Sequence, residues 1–96
     1  MIWSRPTCEV NGIAGGYAGE GFKTVLPSKA SAKISFRLVG RQDPLAIRES
    51  FRAMVRAMVP ADCTVTFAGH GSAPASVMAT DNPAFEAARR ALSAEW

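Results

Sequence analysis

From Ala30 to Leu38 apolar and polar residues alternate without a break. Ala30, Ala32, Ile34, Phe36 and Leu38 share one face, and Ser31, Lys33, Ser35 and Arg37 share the other. Successive side chains of a strand point to opposite faces, so the spacing predicts a half-buried strand over 30–38. Thr7 to Ile13 reads as a shorter strand. Its Asn11-Gly12 pair suits a tight hairpin turn. The glycine-rich run Ala14 to Gly21 that follows is not a strand, however, and predicts a long loop instead. Lys23 to Leu26 is a brief extended piece closed by Pro27. Cys63 to Ala68 alternates again, with Cys63, Val65 and Phe67 inward and Thr64 and Thr66 outward.

Between these segments the period lengthens. Ile47, Phe51, Met54, Val55 and Met58 recur at helical spacing, and Arg48, Glu49, Arg52 and Arg56 cover the opposite side. Asp43 suits an N-cap and Pro44 the first helical position, so a helix over 44–59 is expected, ending before Pro60. Asp81-Asn82-Pro83 repeats that start signal. It opens a helix over 83–96 with Phe85, Ala88 and Leu92 on one side and Glu86 four residues before Arg90. This helix has a start and no stop signal, and Trp3 and Arg5 lead abruptly into the first strand. Both ends read as cut, and the chain as a piece of a longer polypeptide.

Ninety-six residues make one small domain, with 48% hydrophobic and 20% charged residues, an ordinary soluble balance. The net charge of +3 is mild and its eleven basic residues are scattered, which argues against nucleic acid as a partner. No apolar stretch is long enough to cross a bilayer, and the N-terminus has no signal-peptide pattern. Two cysteines, Cys8 and Cys63, make neither a disulfide scaffold nor a zinc site. They read as buried thiols of a cytoplasmic protein.

Candidate chemistry is sparse. His70, the single histidine, lies between two glycines with no carboxylate at ligand spacing. It reads as a loop residue with a hydrogen-bonding role. Neither cysteine has a local base to activate it. The glycines at 15, 16, 19 and 21 fit neither the dinucleotide fingerprint nor the P-loop, and read as a loop needing positive backbone angles. Arg37 is more informative. On the polar face of a regular strand it is either simply solvated, or a rigidly mounted guanidinium fork that grips a carboxylate.

A set of short motifs then adds a family. Arg5-Pro6-Thr7, Val10-Asn11-Gly12-Ile13, Gly15-Gly16-Tyr17, Gly19-Glu20-Gly21, Lys23-Thr24-Val25-Leu26-Pro27 and Ser35-Phe36-Arg37-Leu38-Val39 stand in that order. Gln42-Asp43-Pro44, Gly69-His70-Gly71 and Ala87 to Leu92 continue the series. In order and spacing the chain resembles carnosinase-like dipeptidases of the M-twenty metallopeptidase family. The resemblance implies residues 1–75 as part of a lid, or dimerisation, domain, and 76–96 as the return into the catalytic domain and its first helix. It implies that Thr24 and Arg37 contact substrate in the parent enzyme, Arg37 holding the substrate carboxylate. No catalytic or metal-binding residue of the family falls in this chain. The parent's two divalent ions, zinc or manganese, would be held elsewhere, and this chain would carry no cofactor. Phe22 stands where relatives have a small or polar residue, and Cys8 where they have an aliphatic one.

The expectation is therefore an α+β fold. It is a partial ferredoxin-like ββαβ arrangement plus a C-terminal helix, with an antiparallel-dominated sheet and helices on one face. The implied role is a fragment of a metal-dependent dipeptidase that binds a copy of itself and catalyses nothing alone. Dipeptide would be a partner only of the full-length parent. A free-standing dimerisation module of the same fold is the alternative. A small-ligand regulatory domain is a third reading, but no pocket residues support it.

Overall fold

The computed structural model describes residues 4–95, so Trp3 and Trp96 lie outside the described residues. In chain order come β1 (Thr7–Gly15), β2 (Ala30–Arg37), α1 (Pro44–Met58) and α2 (Pro83–Glu95). The strands form an antiparallel pair, with Thr7 opposite Arg37 at one end and Gly15 opposite Ala30 at the other. β1 thus continues past Ile13, through residues expected to lie in the loop.

A bulge between Val10 and Gly12 makes that extension possible. Cys8 and Val10 sit opposite Phe36 and Ile34 on the apolar face. An unbroken alternation would then send Ile13 to the polar face. The extra residue, Asn11, shifts the pattern by one and brings Ile13 opposite Ala32 on the apolar side. Asn11-Gly12 therefore corrects the register rather than turning the chain.

The connection over 16–29 is ordered at its start around one tyrosine. The Tyr17 hydroxyl donates to the Glu20 carbonyl at 2.8 Å, and Lys23 Nζ lies 4.6 Å from the ring centroid. A Cβ on Gly19 would sit 2.5 Å from that hydroxyl, so a side chain there would have to push the tyrosine ring aside. Of the four glycines expected to need positive backbone angles, Gly16 and Gly21 have φ of 76° and 75°, whereas Gly15, in β1, and Gly19 do not adopt them.

Helix α1 begins as its sequence dictates. Asp43 Oδ1 accepts from the Leu45 N–H at 2.9 Å, and Pro44 occupies the first turn, where its missing N–H costs nothing. Val59 leaves the helix with ψ of 133°, the extended state that Pro60 imposes on its predecessor. The half-buried stripe of α1 is Ile47, Phe51 and Val55, while Met54 and Met58 are exposed. Phe51 meets Phe36 of β2 edge-on, with ring centroids 5.1 Å apart. In α2, Asn82 Oδ1 accepts from the Phe85 N–H at 2.8 Å, the cap that the Asn-Pro pair signals.

Three expectations are corrected. Cys63 to Ala68 joins no sheet, and the ββαβ arrangement is not formed among the described residues, where the sheet has two strands. Extended residues become a strand only when their backbone finds a ladder partner, and here the side chains dock beside α1 instead. The guanidinium carbons of Arg52 and Arg56 lie 5.5 and 5.1 Å from the Phe67 ring centroid, and Arg48 Nη2 donates to the His70 carbonyl at 2.8 Å. Val65 and Phe67 are half-buried as the alternation implies. Second, Cys8 and Cys63 are exposed, because α1 meets the apolar face of the hairpin through the Phe36 ring and leaves the rest open, and residue 63 has no sheet to enter. Third, neither helix is laid along the hairpin among the described residues: α1 meets it through the Phe36–Phe51 rings and α2 packs on neither the hairpin nor α1, so the helices on one face are not formed.

Among the described residues no side chain is fully buried. The radius of gyration is 20.9 Å, against about 12–13 Å for a compact domain of this length.

Candidate functional site

The polar face of the hairpin is where side chains converge. The ladder places Thr7 opposite Arg37 and Glu9 opposite Ser35, so Glu9 and Arg37 are diagonal neighbours on one face. Glu9 Oε1 lies 3.1 Å from Arg37 Nε, an ion pair across the strands. The Thr7 hydroxyl donates to the same oxygen at 3.1 Å. Ser35 donates its single hydroxyl proton to Asn11 Oδ1 at 3.0 Å, with Glu9 Oε2 a longer alternative at 3.4 Å. Thus β1 places one carboxylate, bonded by the Thr7 hydroxyl, beside one guanidinium of β2, while Ser35 and Asn11 link the same face across the strands.

Arg37 keeps 79% of its side chain exposed despite the pair, whereas Glu9 is 41% exposed. Neither terminal nitrogen of Arg37 makes a hydrogen bond among the described residues. Arg37 therefore presents the end of its fork to solvent from a strand fixed on one side by a ladder. That arrangement suits a planar anion such as a carboxylate, which takes two parallel N–H donors.

Thr24 stands elsewhere. It is the central residue of a γ-turn, with the Val25 N–H bonded to the Lys23 carbonyl at 3.0 Å and no positive φ. The loop bearing it leaves the sheet at the Gly15–Ala30 end, and Arg37 lies at the other end. Eight strand residues span about 23 Å, so the ladder does not bring Thr24 and Arg37 together. His70 contributes its backbone carbonyl, which Arg48 holds, and no hydrogen bond of its imidazole is formed among the described residues.

Glu9 was the member that alternation in β2 could not supply. Its signal lay in the odd positions Thr7 and Glu9 of β1, which pattern as a polar face once the strands are paired. Among the described residues, no three of the histidine, cysteine, aspartate and glutamate side chains gather as metal ligands. The residues present do not fit a divalent-ion centre, and no chemical step through a metal follows from them. No helix among the described residues is long and apolar enough to cross a membrane.

Comparison with known proteins identifies a family. Residues 1–63 match the peptidase dimerisation domain, the family unit that spans both strands, α1 and their connections. A stretch of 37 residues is 46% identical to Cys-Gly metallodipeptidase dug1 of Schizosaccharomyces pombe (strain 972 / ATCC 24843). That stretch covers 38% of this chain and 8% of the relative, so the chain spans only a small part of the enzyme it resembles. No solved structure matches. With almost two thirds of its length accounted for by one domain type, the chain belongs to the peptidase dimerisation domain family.

Proposed function

We propose that this chain is a segment of a metal-dependent dipeptidase, in which it forms most of the dimerisation and lid domain. Residues 1–75 are the lid portion, in a ferredoxin-like arrangement completed by other parts of the enzyme. Residues 76–96 are the return into a catalytic domain and its first helix. The metal ligands, for zinc or manganese, belong to that other domain, and the assembled protein works in the cytoplasm as a homodimer or higher oligomer. Arg37 grips the C-terminal carboxylate of a dipeptide, and Thr24 touches the same substrate once the lid closes. The observation that carries this reading is an exposed guanidinium on a strand, in a chain matched by the peptidase dimerisation domain.

The test is kinetic, in the enzyme that contains this chain. Arg37→Ala is expected to cost about 2–5 kcal/mol in kcat/KM for dipeptides with a free carboxylate. C-terminal amides of the same dipeptides should be little affected. Arg37→Lys should recover only part of the loss, because an ammonium lacks the fork. Unchanged catalysis with a lowered melting temperature would make Arg37 structural. A free-standing dimerisation module is the competing reading, and the match to the dimerisation domain alone supports it equally. A reading frame that stops on both sides of this sequence would decide for the module. One that runs into a segment rich in histidine and glutamate would decide for the enzyme.

A further inference from the structure

The loop that carries Thr24 is tied together by one side chain, Tyr17. Its hydroxyl donates to the Glu20 carbonyl at 2.8 Å, its ring lies directly against Gly19, and Lys23 Nζ stands over the ring, 4.6 Å from the centroid. These contacts reach both sides of Gly21, whose φ of 75° marks the point where the backbone is freest. The Lys23 carbonyl then accepts from the Val25 N–H at 3.0 Å and closes the γ-turn centred on Thr24. Lys23 is therefore held twice, at its ammonium by Tyr17 and at its carbonyl by the turn. With Lys23 drawn in, Phe22 and Thr24 on either side of it remain exposed.

We propose that Tyr17 is a positioning residue for Thr24, fixing the loop in advance so that the Thr24 side chain meets substrate already in place. This rests on the reading of Thr24 as a substrate contact. A loop that is ordered only by its ligand loses the free energy of that ordering from its affinity, and one ordered beforehand does not. Tyr17 is itself 43% exposed, so its contacts order the loop and add little to the stability of the fold.

The experiment is kinetic, in the enzyme that contains this chain. Tyr17→Phe keeps the ring beside Lys23 and removes the bond to Glu20. It is expected to lower kcat/KM about three- to tenfold, with little change in melting temperature. Gly19→Ala leaves Tyr17 intact but pushes its ring aside, and should lower kcat/KM at least as far. The deciding variant is Thr24→Val, which replaces the hydroxyl by a methyl of similar shape. Adding Tyr17→Phe to Thr24→Val should lower kcat/KM no further, because Tyr17 acts through that hydroxyl. In the 96-residue chain, the Val25 N–H should exchange with deuterium faster in Tyr17→Phe than in the native sequence. A Thr24→Val enzyme with native kinetics would overturn the reading of Thr24, and the positioning role with it. Impaired Thr24→Val beside native-like Tyr17→Phe and Gly19→Ala would overturn the positioning role alone. Losses that multiply in the double variant, or unchanged exchange at Val25, would overturn it as well.

Discussion

Phe36 and Phe51 are the residues through which β2 and α1 meet. Their rings cross at 69° with centroids 5.1 Å apart, the edge-to-face geometry aromatic quadrupoles favour. Such a pair is expected to couple by about 0.5–1.5 kcal/mol beyond the area it covers. Phe36→Ala, Phe51→Ala and the double variant, compared by urea unfolding, should therefore be non-additive. Strict additivity would mean that the rings merely lie side by side. A second residue-scale device is Glu86, in the first turn of α2. Arg89 hydrogen-bonds its carboxylate through Nε at 3.0 Å and holds its pKa below the ordinary 4.5, against a small opposing desolvation. The sequence pointed to Arg90 as its partner, but Arg90 is the longer contact, at 3.7 Å. A carboxyl whose folded pKa is depressed stabilises the fold above its unfolded pKa and loses that contribution as pH falls through the folded one. Helical circular dichroism should accordingly fall as pH drops below the ordinary carboxylate value of 4.5, and Glu86→Gln should flatten that dependence. A Glu86→Gln profile identical to that of the native chain would remove Glu86 as the cause.

At the scale of elements, each helix depends on one cap. The Asp43 carboxylate satisfies a backbone N–H that the first turn of α1 otherwise leaves without a partner. Asp43→Ala should cost about 1 kcal/mol, whereas Asp43→Asn should cost far less, read as helix content against urea. Equal losses would show that charge, not the cap, sustains the helix start. Caps and alternation are local, which is why α1, α2 and β2 were legible within a residue or so of their ends. β1 was legible only in part. The bulge that extends it depends on which residue of β2 faces Asn11, and no spacing within β1 carries that information. The Cys63–Ala68 segment shows the same limit from the other side. Its alternation correctly separates Val65 and Phe67 from the threonines, yet alternation cannot say whether a ladder partner is present. Arg37 was legible in the same way as a polar-face residue. Its pairing with Glu9 required the register, and the role of Thr24 came from resemblance alone.

For the whole molecule the decisive quantity is surface. The chain exposes 9001 Å², whereas a folded monomer of this length exposes about 5,300 Å². The excess, about 3,700 Å², includes the apolar hairpin face, where Val10 and Ile13 are 59% and 79% exposed, and Leu26 and Phe22 of the connecting loop. Apolar surface on this scale drives association, and a two-stranded sheet also carries two open edges that template pairing. The chain at micromolar concentration is therefore expected to form a dimer or higher oligomer by light scattering. Its size also bounds what a second copy can do. Obligate interfaces commonly bury about 2,000–5,000 Å² or somewhat more in total, so roughly 1,000–2,500 Å² per partner is usual. A symmetric dimer would still leave on the order of 1,000 Å² per chain uncovered. The rest needs another cover, which in the proposed parent enzyme is the remainder of its lid. The oligomer should consequently still bind a hydrophobic dye strongly, and the enzyme containing the chain should not. A dispersed monomer with a radius of gyration near 12–13 Å would instead show that the hairpin, α1 and α2 close on one another unaided.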